Sequence, residues 1–177
     1  MKKVFLFFLI LSLIIVPTYA VNIFGVNFPS TKFGGYLVFA PRAYYSLTAL
    51  SGFYQVGLPI KEVEGLYVMV GPEVFYASYT GINASFLALG INIDTIYLLK
   101  PWSFDLFGRK WYPSLNAALS VDILRFGFGT DYSHTIESIV DFDLYLGIYT
   151  PYGGKNSYLN VYFWIYPITI GFSFVSF

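Results

Sequence analysis

Residues 84–99 read Ala84-Ser85-Phe86-Leu87-Ala88-Leu89-Gly90-Ile91-Asn92-Ile93-Asp94-Thr95-Ile96-Tyr97-Leu98-Leu99. The way this stretch is read decides the architecture. It is apolar enough to invite a membrane helix, but Gly90, Asn92 and Asp94 interrupt it, whereas a spanning helix needs about 20 predominantly apolar residues in a row. Its order has period two. Leu87, Leu89, Ile91, Ile93, Tyr97 and Leu99 fall on one side, and Phe86, Ala88, Gly90, Asn92 and Asp94 on the other. Side chains of a strand point alternately to opposite faces, so the stretch predicts a strand with one apolar face and one mixed face.

The same alternation recurs along the chain. Between Tyr36 and Leu47 the apolar face is Leu37, Phe39, Pro41, Ala43, Tyr45 and Leu47, with Arg42 on the other. Between Gly65 and Ser78 it is Leu66, Val68, Val70, Pro72, Val74 and Tyr76, against Tyr67, Met69, Gly71, Glu73 and Phe75. Leu115 to Ile123 alternate with Ser114, Asn116, Ala118, Ser120 and Asp122, and Val140 to Ile148 alternate with Asp141, Asp143, Tyr145 and Gly147. Leu159, Val161, Phe163 and Ile165 oppose Asn160, Tyr162, Trp164 and Tyr166. Six charges lie inside these tracts: Arg42, Glu73, Asp94, Asp122, Asp141 and Asp143. All six sit on the less apolar face.

Composition narrows what such strands can form. Of 177 residues, 56% are hydrophobic, 22% aromatic and only 11% charged, against about a quarter charged in an ordinary soluble domain. The aromatic content excludes disorder. The absence of cysteine excludes a disulfide scaffold or thiolate metal site. Ten basic residues balance ten acidic ones, without the basic patch that a nucleic-acid partner requires. Alternation alone would also fit a soluble secreted β-protein with its apolar face inward. The mixed face would then meet water, yet it carries Gly, Ala, Tyr and six charges where Lys, Glu, Thr and Gln belong. The opposite orientation sets an uncharged face against lipid, where one charge at the midplane costs ~2–4 kcal/mol. Only helices and closed barrels satisfy their backbone in lipid. The expectation is therefore an all-β fold, a transmembrane antiparallel up-and-down β-barrel. Tyr44, Tyr45, Tyr76, Tyr79, Tyr97, Trp102, Trp111, Tyr112, Tyr149 and Tyr152 cluster near tract ends, as interfacial girdles would.

Residues 1–20 read as an export address. Lys2 and Lys3 precede an apolar run from Val4 to Val16, followed by Pro17 and a small residue, Ala20. That is the secretory signal pattern, with cleavage expected between Ala20 and Val21. The remaining chain, residues 21–177, forms the barrel domain and carries eight basic and ten acidic residues, a formal −2.

Turn candidates divide the domain at Leu50-Ser51-Gly52, Lys61 to Gly65, Thr80 to Asn83, Thr130 to Ile136 and Pro151 to Asn156, with Lys100 to Tyr112 the longest connection. Eight strands follow if one end is counted. Either Val21–Phe28 is the first strand and Tyr158–Phe177 is one long last strand bulged at Pro167, or the last segment turns at Tyr166-Pro167 and makes two. The first count is preferred. It places connections 100–112 and 151–157 on the side opposite the termini, where longer loops are usual.

Signal sequence, dyad-repeat strands, no cysteine and a final Phe177 together resemble the small bacterial outer-membrane barrels of the OmpA/OmpX type. The resemblance is architectural and implies location in the bacterial outer membrane, with outer-membrane lipids and the barrel-assembly machinery as partners. In that class a terminal aromatic preceded by alternating apolar residues is the assembly signal. Phe177 and Val175 match it, while Ser173 and Gly171 depart from it and Phe172 and Phe174 occupy the other phase.

Candidates for chemistry are few. His134 stands in Asp131-Tyr132-Ser133-His134, a polar turn rather than a catalytic arrangement, and lacks the His-x-Ser spacing of the lipid A deacylases. No catalytic, cofactor or metal site is expected. Arg42, Glu73, Asp94, Asp122, Asp141 and Asp143 are expected to form a polar network in the lumen, because charges taken from water need partners. At eight strands side chains just fill the interior. The expected role is structural or interaction-based: membrane integrity, adhesion or loop-mediated binding by a monomer. The alternatives are a small cation-preferring pore, an apolar-solute channel and, further off, a lipid-modifying enzyme. Neither ligand nor solute is encoded in a motif.

Overall fold

The computed structural model describes residues 21–23, 26–41, 46–131, 139–153, 156–164 and 167–177. The described residues form strands β1 (Val21–Ile23), β2 (Val26–Phe28), β3 (Ser30–Pro41), β4 (Ser46–Pro59), β5 (Leu66–Thr80), β6 (Ser85–Leu98), β7 (Phe104–Leu106), β8 (Arg109–Phe128), β9 (Val140–Pro151), β10 (Ser157–Trp164) and β11 (Ile168–Ser176). All pairings are antiparallel. β3, β4, β5, β6, β8, β9, β10 and β11 each bond to the next, and β11 returns to β3. The nine-stranded sheet thus closes in an up-and-down ring of eight, with β7 folded onto the start of β8 as the ninth. A closed ring leaves no edge strand with unpaired backbone groups.

Turn chemistry sets the corners. Gly65 and Gly81 adopt φ of 83° and 104°, a region glycine enters without steric cost. Phe107 and Gly108, at φ 52° and 71°, are the two residues between paired Leu106 and Arg109. Positive φ at both central residues is the mirror-image turn that follows the twist of a hairpin.

The period-two reading survives in space. Leu37, Val70, Leu89, Ile91, Ile93, Leu115, Phe142, Leu146, Ile170 and Phe172 are exposed on the outside of the ring. Their neighbours Glu73, Asn92, Asp94, Asn116, Asn160 and Ser173 are buried. Apart from the projecting β7–β8 hairpin, no Asp, Glu, Lys or Arg occupies an outward position of the ring strands. Inward glycines make room for large rings: a Cβ at Gly171 would lie 2.3 Å from the Tyr162 ring.

The structure departs from the sequence reading at both ends. Val21–Phe28 is not a ring strand; β1 and β2 pair with each other as a separate hairpin. The last segment is two strands, because β10 and β11 pair antiparallel from Ser157↔Ser176 to Trp164↔Thr169. The count in the ring remains eight, but the two long connections fall on the other side. Residues 99–108, and Tyr152, Gly153 and Asn156 of the second connection, lie at the end that holds Ser30 and Ser176, and therefore both ring termini. The tract from Tyr36 to Leu47 is also divided, since β3 ends at Pro41 and β4 begins at Ser46. Leu47 consequently turns inward and is buried, and Leu50-Ser51-Gly52 runs straight through β4. Ala20 and Arg42 lie outside the described residues, and Val21 opens β1. The expected aromatic girdle is only partly outward. Tyr76, Tyr97, Trp102 and Tyr152 are exposed, while Tyr79, Trp111 and Tyr149 are buried.

Candidate functional site: a cavity inside the ring

The interior has three tiers. At the end holding the termini, Tyr67, Met69, Ile96, Leu98, Tyr149 and Val175 form an apolar cluster, with Tyr112, Tyr158 and Phe177 packed against it. The Phe177 ring lies 4.0 Å from that of Tyr67 and 5.7 Å from that of Tyr158. Phe177 and Val175 therefore point into the ring, and Phe172 is exposed on the outside.

Above this cluster lies a polar tier. Lys32, 1% exposed, pairs with Asp94, also 1% exposed. The Lys32 ammonium donates to the Tyr145 hydroxyl at 3.3 Å, and that hydroxyl donates to Asp94 at 2.5 Å. The ammonium also sits 5.0 Å from the centre of the Phe53 ring and 5.8 Å from that of Tyr162, within the range of cation–π attraction. Glu73 is held differently. Its carboxylate accepts from the hydroxyls of Tyr36, Ser51 (2.5 Å) and Ser120 (2.9 Å) and from the Asn92 amide (3.2 Å). Gln55 donates to Asn92 at 2.5 Å and extends the chain of bonds. Four neutral donors thus hold one carboxylate, and no described cation contacts it.

The third tier is a cavity of about 520 Å³ that runs from Lys32, Glu73 and Asp94 toward the end away from the termini. Arg125 pairs with Asp122 there and covers the Phe86 ring at 4.5 Å. Asp141 and Asp143, on exposed positions of β9, line the same cavity. A second cavity of about 160 Å³ lies beyond the apolar cluster, by Leu98, Lys100 and Phe177. The two share no lining residue.

Five of the six predicted network residues thus line one cavity, although Asp141 and Asp143 are rim groups rather than buried ones. The expectation that Arg42 is the one basic member fails, because Lys32 and Arg125 both line the cavity. Lys32 was legible: carrying the alternation back from Tyr36 through Gly34 places it on the inward face of β3. Arg125 was hidden by a bulge. Leu89 pairs with Leu124 and Gly90 with Asp122, leaving Ile123 extra and reversing the phase after it. The one sequence signal is the double apolar step Ile123-Leu124, after which Phe126 and Phe128 take the outward positions. Ser133 and His134 lie outside the described residues. Among the described residues no group of three or more His, Cys, Asp or Glu is placed to hold a metal.

Comparison with known proteins returns no match: no protein-family model, no curated protein and no solved structure corresponds to this chain.

Proposed function

We propose that the chain is an exported bacterial outer-membrane protein, an eight-stranded transmembrane β-barrel whose role is structural or interaction-based and whose interior does not conduct. One observation carries the location: the ring presents a charge-free apolar exterior around a polar, hydrogen-bonded interior. Water would leave Leu37, Ile91, Leu115, Phe142 and Ile170 exposed at a standing cost of ~25 cal/mol per Å², whereas lipid removes that cost. Most ring strands are 12–20 residues long, enough for the ~9–11 residues that a tilted crossing needs. Outer-membrane lipids are then the partner of the whole outer face. The barrel-assembly machinery would read the last strand, with Phe172 and Phe174 on its outward phase and Phe177 turned inward.

The apolar cluster favours a structural role over a cation-preferring pore. A conducting path needs continuous polar or open passage, and rings of Tyr67, Tyr149 and Phe177 stand between the two cavities. The expected result is recovery of the protein in washed outer membranes, heat-modifiable migration on gels, and silence in planar bilayers at high protein loading. Recovery in the periplasmic fraction would contradict the location. Steady unitary conductance steps would replace the structural role with a pore.

A further inference from the structure

We propose that the cavity is a binding site for a small amphipathic primary ammonium, a protonated amine on an aromatic or short alkyl body. Its volume of about 520 Å³ falls within the roughly 300–1,000 Å³ of small-molecule pockets. Charge favours a cation as the ligand. The described lining carries Glu73, Asp94, Asp122 and Asp143 with two cations, Lys32 and Arg125. Those two are engaged by Asp94 and Asp122. Glu73 remains 5% exposed, fixed by four neutral donors and with no described cation in contact. A buried carboxylate held ready in this way attracts a cation from whatever enters.

A second observation asks for N–H donors. Asp94 Oδ1 is buried in the same lining and has no hydrogen-bond partner among the described residues. A buried acceptor without a partner is unfavourable, and an ammonium or the water it carries would satisfy it. The walls suit the rest of the ligand. Phe75, Phe86, Tyr162 and Trp164 line the cavity, and Lys32 and Arg125 already sit over rings of this interior, as cations over aromatic faces do.

The wall is uneven, which supplies a way in. Among the described residues, pairing of β9 with β10 runs only to Leu146↔Phe163, while β9 extends back to Val140. Phe142, on the outward phase, nevertheless lines the cavity together with Trp164 and Pro167. Among the described residues the cavity therefore opens toward the outer face beside β10 and β11. In a barrel set in lipid, this opening would admit an amphiphile sideways, and only this route depends on the membrane reading.

Calorimetric titration of the refolded full chain in nonionic detergent tests the site without reference to its cellular location. The probes are phenethylammonium, neutral 2-phenylethanol and anionic phenylacetate. Saturable binding of the ammonium, tighter than either analogue by about tenfold or more, is expected. Glu73→Gln removes the fixed charge, and Ala118→Leu adds bulk to the lining between Asp94 and Asp143; each should weaken the ammonium by at least about tenfold. If one variant does not fold, the other decides. No saturable binding by the wild-type chain, equal binding of the three probes, or full affinity in a folded variant overturns the proposal.

Discussion

Replacing Ile91 with Arg is expected to lower folded stability in a lipid bilayer by about 2–4 kcal/mol, the cost of a cation near the midplane of a barrel's lipid face. Ile91 is an outward residue halfway along β6, between Pro72 of β5 and Val121 of β8, and is 41% exposed. Nothing in the protein would clash with the new side chain or be left unpaired by it. The whole penalty would come from the medium outside. In water the same substitution belongs among surface changes, which stay within about 0.5 kcal/mol. Denaturant titration in vesicles therefore separates the two settings by a wide margin. Glu62→Arg in the exposed 60–65 turn serves as the control, and little change is expected there.

The second large effect lies inside. Lys32→Met is expected to destabilise the fold by about 3–5 kcal/mol, because it leaves a buried carboxylate without its cation. Both partners are 1% exposed, so solvent compensates the lost cation poorly. The Tyr145 hydroxyl, which bridges the two groups, would remain as its only described donor. Adding Asp94→Leu should recover most of the loss, and the double variant is expected to lie near the wild type, since replacing a buried pair with apolar groups is often neutral or stabilising by about 1–4 kcal/mol. A double-mutant cycle from denaturant titrations yields the coupling directly. Additive single losses would mean that Lys32 and Asp94 do not act as a pair.

How much of this was legible follows from what each residue signals locally. Strand identity and face were readable wherever alternation ran unbroken: β5, β6 and the first part of β8 have the faces that Leu66 to Tyr76, Leu87 to Tyr97 and Leu115 to Val121 announce. Alternation says nothing about whether a strand continues or turns. Pro41 to Ser46 contains no glycine, so that reversal reads as continuous strand, and at Tyr166-Pro167 the sequence allows a bulge as well as a turn; preferring the bulge shifts the count by one at each end. A single bulged residue, Ile123, inverted the phase of everything after it in β8 and concealed Arg125. The carboxylates could be placed on the inward face by period alone. Their partners come from other strands: Lys32 of β3 meets Asp94 of β6, 62 residues away, and Tyr36 of β3 meets Glu73 of β5, 37 away. The curvature of the sheet sets those meetings, and no local pattern encodes it. The cavity was not legible, because its volume depends on which wall ends first.

The central claim is that the uncharged outer face of the ring meets lipid. The chain has no cysteine, so single cysteines at 87, 89, 91 and 93 of β6 and at 62 in the turn can each carry a fluorophore without further changes. In reconstituted vesicles, nitroxides on the acyl chains should quench the four β6 positions, most strongly near the centre of the strand. Aqueous iodide should quench only position 62. Quenching of positions 87 to 93 by iodide, with none from the lipid nitroxides, would contradict the account.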